Sequence, residues 1–147
     1  MGKDRGPKAK SVPDISKTPR ASEARTYHTD HPSWRIGRLD FVDPFGWHTV
    51  DAECLLIVRE KLGQIEKRTW AEILVQSKKQ NHSVRIDRLC KDARDRLNLI
   101  YRGNIDIDEL VSLRLSARER VWGILDQGVF SVLWWDPKHK VCPSLPD

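Results

Sequence analysis

The chain has 147 residues, with 26 basic and 21 acidic side chains for a net charge of +5, and 39% of its residues are hydrophobic. That is long enough for one domain with its own core, but no segment offers the roughly eighteen uninterrupted apolar residues of a membrane span, and the polar start does not read as a secretory leader, so the expectation is a soluble, cytoplasmic protein. Cys54, Cys90 and Cys142 are an odd set without C-x-x-C spacing, and the histidines lack carboxylates at ligand distance; this speaks against a disulfide framework, a structural zinc site or any metal cofactor.

Residues 1–30 hold Gly2, Gly6, Pro7, Pro13 and Pro19 and almost no large apolar side chains. Such a segment buries too little surface to offset the entropy of ordering, so it reads as a disordered basic arm, with one α+β domain over 31–147. Trp34 to Val42 alternates and predicts a first strand, ended by the turn Asp43-Pro44-Phe45-Gly46. Thr49 or Asp51 can cap a helix running to about Leu62, with Leu55, Leu56, Val58 and Leu62 as its apolar stripe and Gly63 as its stop. Thr69-Trp70-Ala71-Glu72 is a capping-box pattern that predicts a second, short helix. A polar loop over Gln76 to Ser83 follows.

Ile86, Leu89, Cys90, Ala93, Leu97 and Ile100 recur at steps of three and four and predict a third helix, stopped at Arg102-Gly103-Asn104. Leu110 to Leu115 gives a strand. From there to Ser144 the chain reads as a hairpin turning at Asp126-Gln127-Gly128, whose two strands are apolar on both faces. Strands of that kind need cover on both sides, which places the hairpin in the middle of the sheet. The predicted fold is α+β: a small, mostly antiparallel sheet packed with two or three helices. Six tryptophans suggest more aromatic surface than one small core can hide, and therefore a partner.

Charge gathers between Lys67 and Arg102, where ten basic residues face four acidic ones. Such a patch can meet phosphates or an acidic protein surface; a solvated helix face with i,i+4 pairs such as Arg88 with Asp92 accounts for it equally well. The polar loop Lys78 to Ser83, containing His82, could join Arg118, Arg120, Asp136 and His139 in an acid/base site acting on a phosphodiester. An ordinary loop and strand end explain the same residues.

Arg96-Leu97-Asn98-Leu99-Ile100, followed by Tyr101, resembles the short peptide with which bacterial proteins dock on the replication sliding clamp. Leucine, asparagine and leucine match that motif, while Arg96 replaces its glutamine and Ile100 its aromatic residue. As part of a core-facing helix stripe, Leu97 and Ile100 are explained but Leu99 is left over.

The order of elements, with Leu113-Arg114-Leu115, Arg120-Val121, Gly123, the turn at Gly128, Phe130 to Trp134 and His139, resembles the RelE-like toxins of bacterial toxin-antitoxin systems over about residues 34–144. Together with the basic arm and the clamp-like segment it is similar to the SocB-type toxins. The resemblance implies a small sheet with helices on one side, and a toxin that blocks DNA replication by binding the DNA polymerase III sliding clamp through Arg96, Leu97, Leu99, Ile100 and Tyr101. A SocA-like antitoxin, acting as proteolytic adaptor, and the ClpXP protease are its implied partners. The ribonuclease members imply the alternative, an mRNA endoribonuclease acting on RNA or at the ribosome through Arg120 and His139, with His82 as a further candidate.

Overall fold

The computed structural model describes residues 26–102 and 106–143. Most of the predicted basic arm and the tail beyond Pro143 therefore lie outside the described residues. Residues 26–30, expected to close that arm, instead belong to the domain: Thr26–Thr29 form a 3-10 turn, Tyr27 packs on the core, and Trp70 N–H donates to Asp30 O at 3.0 Å.

The fold is α+β, with five strands among the described residues, β1 (Ser33–Arg35), β2 (His82–Arg85), β3 (Glu109–Arg114), β4 (Arg120–Asp126) and β5 (Val129–Asp136), in the order β1-β5-β4-β3-β2. Only the β1–β5 pair is parallel. The β4–β5 hairpin sits inside the sheet, as its two-sided apolar pattern requires. Gln127 and Gly128 both have positive φ, 48° and 87°, the combination a two-residue turn needs to match the twist of its flanking strands.

Helix α1 (Ala52–Ile65) covers one face of the sheet and α2 (Lys91–Tyr101) the other. Asp51 caps α1 by accepting the Cys54 N–H at 2.7 Å. Gly63 lies within that helix rather than ending it, and Val58 and Ile65 form its buried face, while Leu55 and Leu56 are exposed. Thr69 and Glu72 make the predicted capping box, with Glu72 N–H donating to Thr69 Oγ1 at 3.3 Å and Thr69 N–H to Glu72 Oε1 at 3.4 Å. The segment it starts is one π-helical turn, Glu72–Gln76.

Two cores result, one on each face. Val84, Leu110, Trp122, Ile124, Leu133 and Trp134 meet Ala93 and Leu97 of α2. Val111, Leu113, Val121, Phe130, Val132 and Trp135 meet Val58 and Ile65 of α1 together with Trp47, Trp70 and Ile73. A bulge makes this possible: Trp134 pairs with Trp122 and Val132 with Gly123, so Leu133 has no opposite residue and the alternation of β5 resets there. Trp134 and Trp135 are thereby both buried, on opposite faces. Each buried tryptophan hides about 150–250 Å², on the order of 4–6 kcal/mol as an upper bound. Five of the six tryptophans are buried and the sixth, Trp34, is half-buried. The aromatic surplus inferred from sequence is therefore core, and the partner that it suggested loses that support. Cover on both faces also departs from the one-sided arrangement that the RelE-like resemblance implies.

The predicted first strand is shorter than its pattern. β1 ends at Arg35, and the chain turns away before returning along the free edge of β5, where Asp40 N–H donates to Leu133 O at 3.0 Å and Trp135 N–H to Phe45 O at 2.9 Å. That returning segment, 39–47, brings Asp40 against α2.

Candidate functional site

Asp40 is the centre of a buried polar node. Its carboxylate is 4% exposed and accepts Arg96 Nε at 2.9 Å, Arg96 Nη2 at 2.8 Å and the Trp134 indole Nε1–H at 2.9 Å. Burial alone would push the Asp40 carboxyl up; the Arg96 guanidinium and the Trp134 indole outweigh it and hold the group below the ordinary carboxylate range. The same pair raises Arg96. This fork-to-fork geometry fixes the guanidinium in the plane of its partner. Arg96 is thus a structural clamp between α2 and the 39–47 segment, not a free basic side chain.

The rest of the clamp-like segment divides according to the helix period. Leu97 is fully buried and Leu99 is 69% exposed. Ile100 and Tyr101 are half-buried, and Arg38 Nη1 donates to Tyr101 Oη at 3.0 Å. Five residues that would read out together on an extended peptide therefore do not face one way on α2. Leu99 instead lines a shallow groove with Val42, beside the Arg96 clamp. Val42 is 48% exposed, so the apolar surface of this groove is contributed by two chain segments.

Part of the basic stretch is also paired. Lys91 pairs with Asp95 at 3.1 Å and Arg85 with Asp87 at 2.8 Å, whereas Arg88 and Asp92 form no ion pair. Arg68 donates to Glu72 O at 3.0 Å and also to Ser77 Oγ.

The alternative catalytic residues fall at the end of the β4–β5 pair away from its hairpin turn. Arg120 opposes Asp136 across the hairpin, and His139 follows in a turn with φ 55°. Arg120 is 3% exposed, and its Nη1 donates to Ser116 O at 2.8 Å and Glu119 O at 3.2 Å, gripping the β3–β4 turn. Asp136 accepts the Trp122 indole at 3.1 Å, Lys140 N–H at 2.8 Å and Val141 N–H at 3.0 Å, folding the tail back. A guanidinium enclosed in this way does not reach a phosphodiester. His82 lies on β2, two strands away from Arg120 and out of level with it, and its Nε2 is 3.1 Å from Lys79 O. The structure therefore brings Arg120 near Asp136 but leaves His82 apart from them.

Among the described residues no group of three or more His, Cys, Asp or Glu side chains is placed to hold a metal ion, and none of the three cysteines is in a disulfide. Hydrogen bonding to Asp51 pushes the Cys54 thiol up, the wrong direction for a nucleophile. Among the described residues no helix is long and apolar enough to cross a membrane.

Sequence reasoning did not find Asp40, Phe41 or Val42. All three lay inside the predicted first strand, and only the acidic residue among alternating apolar ones signalled that the chain departs from a sheet there. No family model, curated protein or solved structure matches this chain.

Proposed function

We propose that this protein is a toxin of a bacterial toxin-antitoxin system that acts by occupying the DNA polymerase III sliding clamp, not by turning over a substrate. One observation supports the reading above all: Leu99 is exposed on α2 while the other large aliphatic side chains of that helix, Leu97 and Ile100, pack on the core, and it shares a groove with the exposed Val42. Apolar side chains held in this way can fill preformed pockets on a partner, each worth on the order of 1.5–3 kcal/mol when fully buried.

The helical setting changes the form of the contact. Leu97 takes part in the core, so a linear peptide reading would require the last turns of α2 to unwind, whereas a patch of Leu99 and Val42 docks without unfolding. A SocA-like adaptor and delivery to ClpXP belong to the same proposal. The enclosure of Arg120 weighs against the endoribonuclease alternative.

Binding of the purified protein to immobilised sliding clamp tests the reading. The wild type is expected to bind, and Leu99→Ala and Val42→Ala are each expected to weaken binding about tenfold with unchanged circular dichroism. Absence of wild-type binding overturns the proposal. Loss with Leu99→Ala but not with Val42→Ala rejects the patch and leaves the unwound peptide.

A further inference from the structure

Past the C-terminal end of α2, on the same face of the sheet, lies a hollow of about 580 Å³, within the roughly 300–1,000 Å³ usual for small-molecule sites. Its floor is a row across three strands: Arg35 of β1 is level with Ser131 of β5, which is level with Ile124 of β4. Residues level with one another on paired strands face the same way, so this row presents a cation, a hydroxyl and an apolar side chain in order. Arg38 and Tyr101 wall one side, the guanidinium 5.7 Å from the ring centre. Asp126, at the hairpin end of β4, and Asp106 also line it.

Arg35, Arg38, Asp106 and Asp126 share this hollow, yet among the described residues none of them is in an ion pair. The hollow is polarised. Arg35 and Asp126 sit on strands two spacings apart, about 10 Å, and the half-buried Ile107 and Val129 line the hollow with them, over a floor in which Ile124 is 9% exposed. A simple anion would satisfy the arginines and be repelled by the aspartates. A ligand that fits both must carry an anionic group at one end, a flat apolar middle and hydrogen-bond donors at the other.

We infer that this hollow binds a nucleotide, and that guanine is the base it prefers. The phosphate meets Arg35 and Arg38, whose forked N–H groups match phosphate oxygens; Arg38 keeps donors beyond the one given to Tyr101. The base lies over Ile124 and Ile107. Its edge turns to the aspartates, of which Asp126 is on the strand and can be tested. An ionised carboxylate only accepts hydrogen bonds. Guanine offers N1–H and the N2 amino group side by side to one carboxylate, while uracil flanks its single N–H with two carbonyl oxygens that a carboxylate repels. The Ser131 and Tyr101 hydroxyls remain for the ribose. This site lies at the other end of the sheet from Arg120 and His139, and it does not rest on the clamp-binding reading.

Isothermal titration of the full-length chain with guanosine monophosphate, uridine monophosphate, guanosine and inorganic phosphate tests it. The expected order is guanosine monophosphate first, with each of the others at least tenfold weaker. Arg35→Ala with Arg38→Ala, both at exposed positions, should reduce binding of guanosine monophosphate at least tenfold with an unchanged circular dichroism spectrum, and Asp126→Asn should abolish the preference over uridine monophosphate. A short oligonucleotide carrying a 5′-terminal guanosine phosphate separates the sources: equal binding means the site accepts a strand end, and weaker binding means it takes the free nucleotide. Guanosine monophosphate binding no better than phosphate, binding unaffected by the arginine substitutions, or a strand bound where the mononucleotide is not, would overturn the assignment.

Discussion

Replacing Arg96 with methionine removes the charge and the two hydrogen bonds on Asp40 while retaining the aliphatic stem that packs on α2. Breaking a buried pair from one side typically costs 3–5 kcal/mol, because the partner is left charged and dry. The Arg96 side chain is 21% exposed, so water can reach part of the vacated space, and the expected loss at pH 7 is about 2–4 kcal/mol. The pH dependence carries the diagnosis. In the wild type the folded-state Asp40 pKa is depressed, so its stabilisation is fully present above the unfolded pKa, about 3.9, and is lost as pH falls through the lower folded value. In Arg96→Met, burial is no longer outweighed and the folded pKa rises above the unfolded one. The variant therefore regains stability as pH falls from neutral towards 4. The gap between the two proteins should narrow steadily between pH 7 and pH 4.5, measured by urea unfolding followed through tryptophan fluorescence. A gap below about 1 kcal/mol that does not change with pH would mean the pair behaves as a solvated surface bridge, and the node would not be the structural clamp described.

Two further substitutions separate surface from core. Leu97→Ala should cost about 2–5 kcal/mol in denaturant unfolding because its methyls are lost from a close-packed site, whereas Leu99→Ala, two residues along, should change stability by less than about 0.5 kcal/mol. Similar costs for both would contradict the orientation of α2. Gly123→Ala introduces a Cβ 2.6 Å from the Phe130 ring and against Ser131 O; a loss of about 3 kcal/mol or more is expected by thermal unfolding, as overpacking in a rigid sheet, and a wild-type melting temperature would refute the close approach.

The hairpin was legible because both of its strands are apolar on both faces, and only an interior position in the sheet satisfies that. The capping box at Thr69 and Glu72 was legible because it is written within four residues. β2 was not, since His82–Arg85 buries only Val84; an edge strand with one core side chain is held by backbone pairing that leaves no hydropathy signal. The first strand was overread for the opposite reason. Ile36, Phe41 and Val42 supply apolar alternation yet are exposed, and the pattern cannot show that the chain leaves the sheet after Arg35. The Asp40–Arg96 contact joins positions 56 apart, and nothing local to either residue announces it. The surplus apolar Leu99 at the end of the α2 stripe was readable, because a helix period of 3.6 residues has no place for it in the core.

The node and the patch are mechanically linked, and this gives the clamp-binding proposal a physical basis that the motif alone lacks. Asp40 is followed immediately by Phe41 and Val42, while Arg96 precedes Leu99 by less than one helical turn. Their ion pair, backed by the Trp134 indole, therefore fixes the two segments whose apolar side chains share the groove at the end of α2. A patch held in place before contact avoids much of the ordering cost that a flexible peptide incurs on binding. On that account Arg96 contributes to docking without touching the partner. Arg96→Met should lower affinity through the patch geometry, and Arg96→Lys, which keeps the charge but lacks the planar bidentate fork, should retain stability only in part and binding less still.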